Sequence, residues 1–281
     1  MFYSTITTIS RLISGFFLIF ILARILTLSN FGDLTYSLVF ANLLVLIIEY
    51  GYSLKLSKDT AKNLNDISIL TWSAIKVKLS LLVILIIVLL ILGIFEYPDP
   101  TTYKILFILS ISSIFNSFAN HFLIPYRSID RFDVEAKYVF INNVLLFGIV
   151  SLVAYFSRNI TAIALGILCV RIVFSFFTVR RFIKDFGLTF STVNLLAELK
   201  QTFPYAVHIA VGVMYLNIDT IILREFVSNS DIGIYQAGMR AMVAATLGLE
   251  ILNSVLIPKL SSLVAEKKDQ LIQLSTKFNL L

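Results

Sequence analysis

The run LLVILIIVLLILGIF at 81–95 carries no charge and does not alternate apolar with polar residues. A helix needs about 20 apolar residues to cross a hydrocarbon core of about 30 Å. A membrane β-strand would instead alternate over segments of about 10 residues. The run therefore predicts a transmembrane helix, and similar runs recur along the chain. With 58% hydrophobic and 14% charged residues, and a mean hydropathy of +0.90, the chain has more apolar surface than a soluble fold can bury. Soluble domains run nearer about 45–50% and 25%. The fold class expected is an all-α integral membrane bundle, because lipid tolerates only backbones that satisfy their own hydrogen bonds.

About eight spans can be drawn, at 9–28, 34–53, 76–95, 104–125, 137–156, 160–179, 204–226 and 232–257. SNFGD (29–33) and EYPDPTT (96–102) carry turn chemistry. Pro125, Pro204 and Pro258 are expected at helix ends, where a missing backbone donor costs least. Basic residues collect after the even-numbered spans: Lys55, Lys58 and Lys62; Arg127 and Arg131; Arg180, Arg181, Lys184 and Lys200; then Lys259, Lys267 and Lys268. Odd-numbered connections offer little beyond Arg158 and Lys104. Excess Lys and Arg mark the cytoplasmic side, so both termini are expected there. The formal net charge of +6 is then a matter of topology, and no nucleic-acid partner is expected. The single cysteine, Cys169, lies in an apolar stretch and excludes a disulfide framework.

A weak repeat suggests two lobes. Arg24, Gly32, Glu49 and Lys58 find counterparts in Arg224, Gly233, Glu250 and Lys259 at nearly the same spacings. The expected division is a six-helix lobe at 1–180, a cytoplasmic connection at 181–203, and a partial second lobe at 204–281. Within the connection, Leu195, Leu196 and Leu199 beside Glu198 and Lys200 suit an amphipathic helix on the membrane surface.

Several segments resemble one family. ILARILTLSNFGDLTYSL (21–38) is similar to the first hairpin of Wzx-type polysaccharide flippases, in the multidrug/oligosaccharidyl-lipid/polysaccharide exporter superfamily. IEYGYSLKLSKDTAK (48–62) resembles the family's acidic-aromatic-Gly turn into a basic loop. NIDTIILREFVSNSDIGIYQAGMRAM (217–242) and LIPKLSSL (256–263) resemble its seventh and eighth helices. The resemblance implies translocation of an undecaprenyl-pyrophosphate-linked oligosaccharide for O-antigen or capsule synthesis. It also implies residence in the bacterial inner membrane and, as further partners, membrane lipids, a polysaccharide polymerase and chain-length proteins. The family usually has about 12 helices, so a chain of eight that ends in KFNLL (277–281) reads as C-terminally truncated.

Charges inside a bilayer are costly unless paired or facing water, which makes them the informative positions. Arg171 lies mid-span in LGILCVRIVFSFF (165–177). It suits either a pyrophosphate or an acidic sugar, or else an interior contact between helices. Asp219 and Arg240 reach nearly the same depth in one helical hairpin and are expected to pair, with Gln236 one turn from Arg240. A proton or Na⁺ on Asp219 would release Arg240 to an anionic head group. Arg24 lies about one turn from its helix end and is expected to snorkel, with a cavity-mouth role as the alternative. Asn142, Asn143, Asn116, Asn120 and Asn217 are intramembrane amides, which mostly join helices and less often meet sugar hydroxyls. His121 and His208 are expected to be structural, and Glu250 with Asn253 shares a helix face.

No nucleotide loop, metal-ligand cluster or acyl-transfer motif is present in the sequence. No enzyme activity, cofactor or metal is therefore expected. A polymerase or glycosyltransferase would need a sizeable outer loop, and the outer connections are short. A cation-coupled drug exporter is the alternative within the superfamily, although mid-membrane arginines suit a cationic cargo poorly. A non-transporting remnant is the other alternative.

Overall fold

The structure, a computed structural model, describes residues 2–95, 97, 99–189 and 192–242. Beyond these lie the rest of the expected eighth span, Pro258, Glu250, Asn253, Lys259, Lys267, Lys268 and the segment 277–281. The chain divides into two compact units, Met1–Ala237 and Gly238–Leu281. Among the described residues every regular element is helical: α1 (Phe2–Ile25), α2 (Leu28–Glu49), α3 (Tyr52–Lys62), a 3₁₀ turn (Leu64–Asp66), α4 (Ile67–Ile94), α5 (Pro100–Ser128), α6 (Phe132–Ser157), α7 (Ile160–Phe186) and α8 (Leu195–Arg224). A further helix, α9, covers 229–242. Six of these segments are long and apolar enough to cross a membrane, those containing α2, α4, α5, α6, α7 and α8. The protein is a multi-pass helical membrane bundle.

Local chemistry explains the helix ends. Asp99 caps α5, accepting hydrogen bonds from the Thr101 and Thr102 amides at 3.1 and 3.0 Å, and Pro100 follows where no donor is required. Thr27, Asn159 and Asn194 cap α2, α7 and α8 in the same manner. Between α2 and α3 the backbone turns through Tyr50 and Gly51 at φ 38° and 78°. Gly51 meets the requirement for positive φ without strain. It also lets α8 close in, since a Cβ there would strike the backbone of Tyr205 and Ala206.

Four expectations change. SNFGD is not a turn: α2 begins at Leu28, and the chain breaks at Leu26–Thr27. Gly32 serves a close approach rather than a bend, because a Cβ there would collide with the carbonyl of Asn229. Residues 195–203 do not form a separate surface helix but run into the span as one helix, α8, which passes through Pro204. Pro125 likewise lies inside α5. One lost backbone bond does not end a long apolar helix whose neighbours re-satisfy the freed group. The basic segment 52–62 is itself a helix, α3, with Tyr52, Leu56 and Thr60 on its buried face.

Helix α5 is the hub, packed against α2, α3, α4, α6 and α7, while α1 lies on α6 and α8 on α2 and α3. Leu34, Ile48, Leu85, Ile105, Leu106, Leu109 and Ile163 are buried between these helices. A second cluster, toward the basic loops, stacks Trp72, Phe122, Phe182 and Phe186 with ring centroids 5.0–5.3 Å apart in successive contacts. Ile84, Ile87, Leu90, Ile91 and Ile94 of α4 stay exposed, as a lipid-facing surface must.

Candidate functional site

A polar cavity of about 210 Å³ opens between α5, α6 and α7. Asn116 and Asn120 line it from successive turns of α5, Asn142 and Asn143 from α6, and Arg171 from α7, beside Val139, Leu146 and Phe174. Arg171 is 11 residues beyond Ile160 and 15 before Phe186, so at about 1.5 Å per residue it lies roughly 16 and 22 Å from the helix ends. Its guanidinium cannot reach an interface at that depth.

The cavity's polar groups are only partly satisfied. Arg171 Nη1 donates to Ser113 Oγ at 3.1 Å, and Ser113 Oγ donates to Asn42 Oδ1 at 3.2 Å. Asn120 Nδ2 donates to the Asn116 carbonyl at 2.9 Å, and Asn143 Nδ2 to Ser10 Oγ at 3.3 Å. Among the described residues, buried Nε of Arg171 and Oδ1 of Asn142 have no hydrogen-bond partner. Among the described residues no carboxylate pairs with Arg171. An unpaired cation and an unpaired acceptor in one mid-span cavity offer sites to a ligand that carries both a negative oxygen and a hydroxyl.

The remaining candidates are elsewhere. Arg24 is exposed, with its guanidinium 4.6 Å from the centroid of the Phe20 ring. Asn217 donates to the Val213 carbonyl of its own helix at 2.8 Å. Asp219 accepts from the Tyr235 hydroxyl and, at 3.3 Å, from the Thr220 hydroxyl. Gln236, buried, donates to Thr220 Oγ1 at 2.6 Å. The α8–α9 hairpin is thus joined by two polar pairs that the sequence reading did not foresee. Arg240 belongs to the second unit, and its Nε has no hydrogen-bond partner among the described residues.

One buried cluster escaped the sequence reading. Lys78 of α4 is fully buried, with Nζ 2.8 Å from Ser117 Oγ and 3.5 Å from Glu49 Oε1. Ser117 Oγ donates to the same carboxylate oxygen at 2.5 Å. His121, one turn from Ser117, donates from Nε2 to the Thr71 carbonyl at 3.2 Å. Sequence alone placed Lys78 near the start of a span at 76. The helix begins at Ile67, about three turns before Lys78. The available signal was the spacing of Ile67, Thr71, Ala74, Lys78, Leu81 and Leu85, one helical stripe on which Lys78 falls.

A larger cavity, about 390 Å³, lies among Tyr52, Asp59, Asn63, Ser73, Asn194 and Gln201. Its Lys55 is already paired with Asp59 at 3.3 Å and with Glu198, so it presents no free charge to a ligand. Burial pushes the Tyr52 hydroxyl well above its usual range, which keeps it neutral there. No group of three or more potential metal-ligating side chains occurs among the described residues.

The model of a family described as polysaccharide biosynthesis protein matches residues 1–264. No curated protein and no solved structure matches the chain.

Proposed function

This chain belongs to the polysaccharide biosynthesis protein family, and on that premise we propose that it translocates a lipid-linked oligosaccharide across the bacterial inner membrane. The cargo proposed is an undecaprenyl-pyrophosphate-linked repeat unit, carried from the cytoplasmic to the outer leaflet for O-antigen or capsule assembly. The observation that carries this reading is the Arg171 cavity. A mid-span guanidinium with no carboxylate partner among the described residues, ringed by carboxamides, is costly to a folded membrane protein and suits an anionic, hydroxyl-rich cargo. It suits a cationic drug poorly.

The proposed mechanism is alternating access between a lobe at 1–180 and a lobe beginning at 204, linked through 181–203, with both termini cytoplasmic. Asp219 is the proposed coupling group, and Arg240 and Arg24 are further basic contacts along the path. The polysaccharide polymerase and chain-length proteins are the proposed downstream partners.

The test is complementation. The chain would be expressed in a bacterium lacking its own O-antigen or capsule flippase, and surface polysaccharide blotted. Restoration is expected, with Arg171→Ala lowering it about 10-fold or more, the loss of one charge-assisted hydrogen-bonding group. Normal polysaccharide with Arg171→Ala would remove the cavity from the transport path.

A further inference from the structure

The cavity's composition goes further than a generic anionic cargo, and this inference rests on the translocation reading above. Charge comes first. The cavity offers one guanidinium and no second cation among its lining residues. A monoanion balances it one to one. A diphosphate would bring excess negative charge into a low-dielectric span, where an uncompensated charge costs several kcal/mol.

Hydrogen bonding comes next. The unsatisfied pair is a donor, Arg171 Nε, and an acceptor, Asn142 Oδ1. A carboxylate alone serves the donor and leaves the acceptor empty. A carboxylate with a hydroxyl on a neighbouring ring carbon serves both, because the hydroxyl donates to Asn142 while the carboxylate accepts from Arg171. The amides of Asn116, Asn120 and Asn143, each donor and acceptor, match further ring hydroxyls. Phe174, Val139 and Leu146 provide apolar surface for the C–H faces of the ring.

Size comes last. A cavity of about 210 Å³ has room for a six-membered sugar ring.

We propose that this cavity binds a single sugar ring carrying a carboxylate, a uronate-type residue of the lipid-linked repeat unit, and so selects acidic repeat units. A sugar 1-phosphate shares the same chemistry of an oxyanion beside ring hydroxyls, and the experiment separates the two sources.

The test measures equilibrium binding of radiolabelled glucuronate to the purified full chain in lipid nanodiscs. Unlabelled glucose, glucose 1-phosphate and inorganic pyrophosphate serve as competitors. Saturable glucuronate binding is expected, with glucose competing about 10-fold more weakly or worse, the equivalent of one good polar contact. Arg171→Gln should weaken binding at least as much, Arg171→Lys less because the charge stays, and Asn142→Ala measurably. Thermal unfolding of each variant shows whether it is folded, and Arg171→Lys with Asn142→Ala carry the test if Arg171→Gln is not. Absence of saturable binding, equal competition by glucose, or unchanged affinity in the variants overturns the proposal. Tighter competition by glucose 1-phosphate or pyrophosphate overturns it in favour of the lipid diphosphate end. Complementation by the same chain keeps the two readings apart. If polysaccharide is restored while glucuronate does not bind, selection of acidic units falls and translocation stands.

Discussion

Gly32 of α2 and Gly233 of α9 pack directly against each other, and neither has room for a side chain. A Cβ on Gly233 would lie 2.7 Å from the Leu28 carbonyl oxygen and 3.3 Å from the Gly32 nitrogen, and one on Gly32 would overlap the Asn229 carbonyl. These are the two glycines that stand at matching places in the spacing of Arg24, Gly32 and Glu49 against Arg224, Gly233 and Glu250. Small residues are what allow helix backbones to approach this closely in lipid.

Gly32→Leu should therefore separate the ends of α2 and α9. Backbone, not a flexible side chain, stands in the way, so the cost is expected at or above the usual overpacking range of about 1–3 kcal/mol. Thermal unfolding of the purified protein checks it, with Gly148→Leu as the control, since nothing lies within 4 Å of a Cβ there. Equal effects of the two substitutions would mean that the Gly32–Gly233 approach contributes nothing specific.

Asp99 links the α4–α5 connection to α8. Its carboxylate accepts from Arg224 Nη2 at 2.7 Å while capping α5. Partial burial favours the neutral acid, but hydrogen bonds from Thr102 and the charge of Arg224 outweigh it and hold the carboxyl below its ordinary 3.8. A depressed folded pKa means the stabilisation is complete above about pH 3.8 and is lost as pH falls through the lower folded value. Asp99→Asn keeps a capping oxygen and removes only the charge. Because the pair is partly exposed, the difference in stability should be under about 1 kcal/mol. It should be constant between about pH 7 and 5 and vanish in strong acid. A difference that already shrinks at pH 5 would contradict a lowered pKa.

The legible parts of this fold were those set by short-range chemistry or by lipid. The run at 81–95 became α4 because nothing but lipid accepts it. EYPDPTT marked the break between α4 and α5 because turn chemistry needs only neighbouring residues. Arg171 and Asn142 stood out because a charge and an amide at mid-span must be explained. The misread features depend on what lies across the bundle. Gly32 resembled turn chemistry until its neighbour on α9 was visible, and KLSKDTAK resembled a solvated loop because its buried stripe is only Tyr52, Leu56 and Thr60. The Tyr235 hydroxyl that donates to Asp219 left no mark in the spacing of the sequence.

Asp219 leads to a transport prediction. Its carboxylate accepts two hydroxyl hydrogen bonds, from Tyr235 and Thr220. Asparagine is nearly isosteric: its Oδ1 can still accept from Thr220, and its amide can donate to the Tyr235 hydroxyl oxygen in place of the bond lost there, so Asp219→Asn should fold normally. If Asp219 is the coupling group, the variant should lose the dependence of polysaccharide export on external pH or Na⁺, with export reduced about 10-fold or more when a charge-assisted contact is lost. Export with unchanged rate and ion dependence would remove Asp219 from coupling.

The Lys78–Glu49 pair predicts an asymmetry between its two halves. Lys78 is wholly buried, whereas the Glu49 side chain retains 25% of its exposure. Glu49→Gln therefore strands an ammonium left with the Ser117 hydroxyl and carbonyl, at 2.8 and 3.5 Å, and the face of the Phe118 ring, 5.5 Å from its centroid. Removing one partner of a buried pair typically costs about 3–5 kcal/mol. Lys78→Met strands only a carboxylate that can still reach water, and its methionine fills much of the same space, so its cost should be markedly smaller. The double variant should recover most of the loss, because a buried pair replaced by apolar or neutral groups is often close to neutral. Thermal unfolding of the three variants in one detergent gives the complete cycle. Glu49→Gln as the mildest of the three would mean that Lys78 does not depend on that carboxylate. Additive single effects would mean that the two residues act independently despite their 3.5 Å separation.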